Sequence, residues 1–382
     1  TVTISALVLA GASAGNYTIE SSSQSTTTAN ITKAPLTITG VTASNKTYDG
    51  STTAIVDGTG ATISGLITGD DVTCTYTGEF NNANVGTGKA VTINVLISGG
   101  ASAGNYQVAS CNSPTANITP KPLTVTAKDK TITYGDAPAN DGVTYSGFIT
   151  GENENTVGVL GGTLAYTYSY AQYGDVGNAY TITPSGLVSD NYAITFESGK
   201  LTVQQKALNI KAKDQAITYG TTIATGTGQV TAEGLVTGDV LTAVKLTPSA
   251  SDYTTNGTIT PSDATTQKGI GNYSVTYTDG ALTIGKAVLT VTAKDKTITY
   301  GDAPANDGVT YSGFVTGEDE NTVGVLGGTL AYTYSYAQYG DVGNAYTITP
   351  SGLTSSNYAI TFTPGTLLAD RKSGSAGMPR PI

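Results

Sequence analysis

Apolar and polar residues alternate along short stretches of this chain. Leu123, Val125 and Ala127 fall on one side of an extended segment and Thr124, Thr126 and Lys128 on the other. Ile132 and Tyr134 resume the apolar face after a short break. Leu164, Tyr166, Tyr168 and Tyr170 form one face of a third strand, and Tyr192, Ile194 and Phe196 one face of a later strand leading into Leu201 and Val203. A period of two with a single apolar face predicts half-buried antiparallel strands. One segment departs from it. From Thr150 to Leu160 acidic residues come early, Val157 and Leu160 are three apart and Gly161 follows, which predicts one short helix with an acidic first turn and a glycine stop. Two features oppose that helix: Gly158 lies inside it, and the equivalent stretch from Asp70 to Tyr76 reads as strand.

The pattern repeats. Leu123 to Phe196 returns from Leu289 to Phe362 almost letter for letter, and Lys128 to Gly135 returns in weaker form at Lys213 to Gly220. Tyr48-Asp49-Gly50 holds the same place in an upstream unit. Asn-Tyr pairs at Asn16-Tyr17, Asn105-Tyr106, Asn191-Tyr192, Asn272-Tyr273 and Asn357-Tyr358 confirm the phase, and the module is roughly 80 to 90 residues long. Residues 1–32 therefore read as the C-terminal part of a truncated repeat, followed by modules at 33–119, 120–204, 205–285 and 286–368 and a non-repeat tail at 369–382.

The two ends refine that division. Ser5 to Ala14 has the small and apolar residues of a secretory leader but lacks a basic leading segment, and it matches Asn94 to Ala103 inside the next module, so the chain is expected to start within a repeat. After Thr366-Leu367-Leu368 the pattern is expected to stop. The last dozen residues hold both arginines, Arg371 and Arg380, and the only methionine, Met378. They read either as a foreign scar or shifted reading frame, or as a native tail of separate function.

A small sheet crossed by one short helix predicts mainly β, β-grasp-like modules in tandem; without the helix, an immunoglobulin-like β-sandwich fits the same strands. Pro120-Lys121-Pro122, Gln204-Gln205-Lys206 and Gly285-Lys286-Ala287 are the only connections between modules. Linkers that short restrict hinging and predict a semi-rigid rod. Composition agrees with β structure, since Thr, Val, Ile and Tyr suit a pleated surface and only 12% of residues are charged. The net charge of −10 offers nothing to nucleic acid or anionic lipid, and no segment calls for membrane insertion.

The segments Leu123 to Val203, Leu208 to Ile284 and Leu289 to Leu367 open with Leu-Thr-Val-Thr-Ala-Lys-Asp or a variant of it, followed by a Tyr-Gly turn. They resemble the MBG repeats of bacterial surface proteins, and the unit around Tyr48-Asp49-Gly50 resembles the sister YDG repeat. The resemblance implies an extracellular, cell-surface or secreted bacterial protein of adhesin type. Such repeats are generally regarded as spacers that present a distal binding domain, with host or matrix glycans or proteins met through other parts of the parent protein. The alternative is an array of weak, multivalent glycan- or protein-binding modules. Tyr219-Gly220-Thr221 lacks the Asp of Tyr-Gly-Asp, so that Asp is not a shared functional group, and the turn residues read as punctuation.

Chemistry is bounded by what is missing. Without histidine there is no Ser-His-Asp or Cys-His arrangement, and an enzyme is not expected. No organic cofactor is expected either. Glu152 with Glu154, and Glu318 with Asp319 and Glu320, offer hard oxygen ligands for Ca²⁺ beside asparagines, or simply form solvated acidic loops. Cys74 and Cys111 share one module, which predicts a disulfide stabilising it by about 4 kcal/mol in the chain-entropy model; two buried free thiols are the other reading. The rows Tyr166, Tyr168, Tyr170 and Tyr332, Tyr334, Tyr336 either form core or present rings to a ligand.

Overall fold

The structure is a computed structural model that describes residues 1–3, 8–20 and 26–371. Part of the leader-like run, Ser22 (the counterpart of Cys111 in the truncated repeat) and the tail from Lys372 with Met378 and Arg380 lie outside the described residues. The chain forms two compact units. One comprises Thr1–Lys130, Asn140–Ser169 and Tyr180–Leu201; the other comprises Thr131–Ala139, Tyr170–Ala179 and Thr202–Ile382.

In the second unit, residues 206–285 display the module. Its strands are β1 (Lys206–Ala212), β2 (Gln215–Thr218), β3 (Val230–Glu233), β4 (Leu241–Pro248), β5 (Thr254–Thr266), β6 (Tyr273–Thr278) and β7 (Gly280–Gly285). They build two sheets, ordered β3-β1-β6 and β2-β7-β5-β4. Two pairings are parallel: β1 with β6, from Lys206 opposite Tyr273 to Lys211 opposite Thr278, and β2 with β7, from Gln215 opposite Leu282 to Thr218 opposite Gly285. The entering and leaving segments of the module thus run side by side in both sheets.

Both segments change sheet at the same level, and the repeated Ala-Lys-Asp serves that crossing. The Ala281 amide donates to Asp214 Oδ1 (2.7 Å). Gly280 is needed there because a Cβ would lie 2.7 Å from the Ala212 carbonyl oxygen. In the module that follows, the Thr366 amide donates to Asp295 Oδ1 (2.7 Å) beside Gly365. That module repeats the seven strands, with β1 at Ala287–Ala293 and β7 at Gly365–Asp370. Ala293 of one sheet packs with Ile298, Ile348, Leu367 and Ala369 of the other and with Tyr336 just beyond it, so the two sheets close on one core. Ala369 is buried, and the strand runs two residues past the expected end of the repeat.

In the first unit, Ala34–Thr39 lies between Tyr106–Cys111, parallel to it, and Thr62–Ser64. A five-stranded sheet faces this trio, in the order Lys46–Thr47, Thr115–Thr119, Gly86–Gly99, Thr73–Phe80 and Thr53–Ala54. The next repeat contributes Lys121–Ala127, between antiparallel Val143–Ser146 and parallel Tyr192–Glu197. As the alternation predicts, Leu123, Val125 and Ala127 are buried.

The expected short helix does not form. Residues 150–160 make turns in which the Thr156 amide donates to the Asn153 carbonyl and the Val159 amide to the Thr156 carbonyl. Asn153 Oδ1 accepts from the Asn155 amide (2.8 Å), and Gly158 has φ +80°, outside the right-handed helical region. Among the described residues helix is confined to four three-residue 3₁₀ turns. The β-grasp expectation therefore gives way to the two-sheet, immunoglobulin-like sandwich.

Candidate functional site

Two sequence markers meet where successive modules join. At Thr119 and Lys121, at Gln204 and Lys206, and at Gly285 and Ala287, one residue alone separates the last strand of one module from the first of the next. Each boundary is then crossed by side chains from the Tyr-Gly or Tyr-Asp-Gly turn before it and the Asn-Tyr pair after it.

The boundary within the second unit between residues 206–285 and 287–370 shows the plan. Tyr219 Oη donates to Glu318 Oε1 (2.6 Å) and Tyr358 Oη donates to Glu318 Oε2. The two rings meet edge to face, with centroids 5.5 Å apart. Tyr358 Oη also accepts the Val315 amide (2.8 Å), so this phenol both donates and accepts. Asn357 Oδ1 takes the Tyr253 amide (3.0 Å) and its Nδ2 donates to Asp252 (3.1 Å). Glycine follows Tyr219 because a Cβ on Gly220 would sit 2.3 Å from Val315 Cγ2. The Tyr-Gly turn is therefore more than punctuation. Its tyrosine reaches across the boundary and its glycine lets the neighbour approach.

The boundary in the first unit follows the same plan. Tyr48 Oη and Tyr192 Oη donate to the two oxygens of Glu152 (2.7 and 2.6 Å), the rings are 5.5 Å apart, and the Val85 amide donates to Asn191 Oδ1 (3.0 Å). One apolar cluster runs through it, from Phe80, Val91 and Ile118 to Leu123, Val159 and Tyr192. Burial pushes the Tyr48 and Tyr192 phenols up to about 12, and the hydrogen bonds to the Glu152 carboxylate add to the shift. Tyr358 is raised to about 12 for the same two reasons, with Glu318 as its acceptor. The bond to Glu318, reinforced by burial, raises Tyr219.

The remaining boundary, also within the second unit, differs by one methylene. Tyr134 and Tyr273 meet edge to face at 5.3 Å, and the Val176 amide donates to Asn272 Oδ1 (2.9 Å). The acid here is Asp239. It accepts Tyr273 Oη (2.7 Å) and the Lys268 and Val240 amides (2.9 Å each), and is buried. Tyr134 is fully buried, and its hydroxyl has no hydrogen-bond partner. Burial pushes the Tyr134 phenol up, with the negative charge of Asp239 adding to it. Burial alone would raise Asp239 too, but the bonds from Tyr273 and the two amides outweigh it and hold the carboxyl below its usual range.

Sequence reasoning finds these residues without their roles. Of the acidic residues that offered either Ca²⁺ ligands or solvated loops, Glu152 and Glu318 each accept two phenol hydroxyls; Glu154, Asp319 and Glu320 are exposed, and Asp319 Oδ1 caps its own turn at the Asn321 amide (2.8 Å). The acids recur in phase as Thr68-Gly69-Asp70, Thr150-Gly151-Glu152, Thr237-Gly238-Asp239 and Thr316-Gly317-Glu318, a signal that the amino-acid sequence carries by itself.

The tyrosine rows divide. Tyr166, Tyr168, Tyr332 and Tyr334 are half-buried, the last two stacked at 6.5 Å, while Tyr170 and Tyr336 are drawn into the core, with hydroxyls donating to the Asp136 and Asp302 carbonyls (3.1 and 3.4 Å). Neither buried ring belongs to a surface platform. Cys74 and Cys111 are both half-buried, and their sulfurs are not bonded to each other in this structure. Cys74 lies on the five-stranded sheet and Cys111 on the opposing three-stranded one, and both lie near Tyr76, which burial raises and the two sulfurs raise further.

Comparison with known proteins bears on the family. The MBG domain (YGX type) matches residues 123–202, 208–283 and 289–368, and the YDG domain matches residues 32–116. Among solved structures, Drosophila N-cadherin EC1-4 is 10% identical over 87% of this chain and 99% of that one, with a TM-score of 0.24. The I9-I11 tandem from titin is 12% identical over 65% of this chain and 100% of that one, with a TM-score of 0.20. No curated protein matches the sequence. No helix among the described residues is long and apolar enough to cross a membrane.

Proposed function

Because the chain belongs to the MBG domain family, with a YDG domain ahead of three MBG repeats, we propose that it is a force-bearing spacer of a bacterial surface or secreted adhesin, holding a distal binding domain away from its anchor. The observation that carries this reading is the pair of parallel ladders joining the entering and leaving segments of a module. Tension applied at Lys206 and Gly285 loads all of those hydrogen bonds in shear together, whereas a hairpin pulled from one end opens them one at a time. One-residue linkers and tyrosine–carboxylate joints support it, since they restrict bending between neighbours.

Single-molecule pulling on the chain tests the spacer directly. Module openings at high, shear-type forces are expected; openings at the low forces of sequential unzipping would sink the mechanical reading. Small-angle scattering gives a second check, because a radius of gyration near the roughly 21 Å of one compact globule of this length is incompatible with a spacer.

Glu152 and Glu318 serve this reading as ties between neighbouring modules, each accepting two tyrosine hydroxyls. Oxidation of Cys74 and Cys111 to a staple between the two sheets belongs to the same proposal, since it would resist the same load. Thiol titration of protein purified without reductant, with and without denaturant, reads it out. The half-buried pairs Tyr166 with Tyr168 and Tyr332 with Tyr334 favour a second reading, a weak multivalent binder of glycans or proteins. Glycan-array binding abolished by Tyr332→Ala with Tyr334→Ala would select it over the spacer.

A further inference from the structure

The middle MBG module carries an open pocket of about 600 Å³ lined by Ile217, Ile223, Pro248, Ala250, Ile284 and Thr221, bordered by Val315 of the next module and within the size range of small-molecule sites. Its origin is legible by register. In the last module the Ser335 amide donates to the Thr347 carbonyl and Ser335 Oγ accepts the Thr347 amide; in the middle module Ser249 does both with Thr258. Ser249 therefore corresponds to Ser335, and Ala250 to Tyr336. Tyr336 is buried among Ile298, Ala369 and Tyr346, and its hydroxyl donates to the Asp302 carbonyl. In the ladder between the second and seventh strands, Ile298 pairs with Ala369 as Ile217 pairs with Ile284, and these last two isoleucines line the cavity. The neighbouring Tyr334 is likewise replaced, by Pro248.

We propose that this cavity is a binding site for a para-substituted phenol, supplied from outside the module in place of the tyrosine ring that its sister carries. The sister module specifies the pose. The ring lies against Ile217 and Ile284, and the phenol donates to the backbone carbonyl of Thr221, the residue equivalent to Asp302. The match is supported at the turn itself, where Thr221 Oγ1 accepts the Thr218 amide (3.2 Å) as Asp302 Oδ2 accepts the Thr299 amide (3.0 Å). A space left by a missing side chain, with apolar walls and a polar rim, is suited to the corresponding small ring with its hydroxyl. The phenol has two sources, a free small molecule and a tyrosine side chain of a partner protein.

Binding of p-cresol to the full chain tests the proposal by protein-detected NMR. We expect saturable binding with Kd of about 0.1 to 1 mM, consistent with eight heavy atoms in a part-polar site, and ring-to-methyl NOEs to Ile217 and Ile284. Ala250→Tyr, which returns the sister's own ring, should raise the apparent Kd at least 10-fold. Absence of p-cresol binding at millimolar concentration, NOEs located elsewhere, or unchanged affinity in a folded Ala250→Tyr chain would overturn the site; should that variant not fold, the NOEs alone decide. Binding of an N-acetyl-tyrosinamide-containing peptide as tight as p-cresol assigns the source to a partner's tyrosine, and p-cresol binding at least 10-fold tighter assigns it to a free phenol.

Discussion

Two boundaries of the second unit use the same parts and differ in one carbon. At the later one, Glu318 spans the gap between Tyr219 and Tyr358 and satisfies both hydroxyls; at the earlier one, Asp239 reaches Tyr273 alone and Tyr134 is buried without a partner. The ring packing is the same, at 5.5 and 5.3 Å. The difference teaches that the edge-to-face tyrosine pair is the constant of the joint, while the acid sets how much of its polar cost is recovered. An unpaired buried hydroxyl costs about 1 to 3 kcal/mol, so the array is expected to contain one joint weaker than its neighbours.

The largest effect expected is from Glu318→Ala, which removes the acceptor of two phenols at once. It should destabilise the last module by about 3 kcal/mol in denaturant unfolding. Lengthening the acid at the earlier joint, Asp239→Glu, is a less clean test, because Asp239 also serves two amides. Tyr219→Phe should cost about 1 to 2 kcal/mol by leaving Glu318 short of a donor, whereas Tyr134→Phe should be neutral or stabilising by about 1 kcal/mol, since it removes only an unsatisfied group. Equal losses from the two Phe substitutions would erase the distinction between the joints.

The smallest effect is in pH. Tyr48, Tyr192 and Tyr358 have folded values raised to about 12, above the ordinary value of 10. Their contribution is present in full below pH 10 and is lost as pH rises toward 12, so the melting temperature should fall through that window. Asp239 has the opposite sign: its folded value is depressed, its contribution is present above the unfolded carboxylate value, and it is lost as pH falls through the folded value. Acid should therefore open the Asp239 joint, as followed by the environment of Tyr273 in NMR.

The strands and the repeat were legible in the sequence because both are periodic. Leu123, Val125 and Ala127 alternate, and the alternation buries them. The helix expected at 150–160 was not, because an acidic start and an i,i+3 apolar pair also describe consecutive turns, and Asn153 and Gly158 decide between them through side-chain capping and a positive φ. The site was half legible. Tyr-Gly, Asn-Tyr and the acidic loops are each visible as recurring markers, but in the sequence Glu152 shows only its charge, and its two phenol donors come from positions 40 and 104 residues away.

By itself, then, the sequence determined the module length, the β class, the family resemblance and the phase of the markers, all of which are local or periodic properties. Tertiary structure alone decided that the leaving segment lies parallel to the entering one, that a carboxylate links the tyrosines of neighbouring modules, that Asp239 falls short of Tyr134, and that a pocket opens beside Ala250. Each of these depends on distances of a few ångströms between residues far apart in the chain. A hydrogen bond or a cavity exists only at that resolution, and no one-dimensional pattern encodes it.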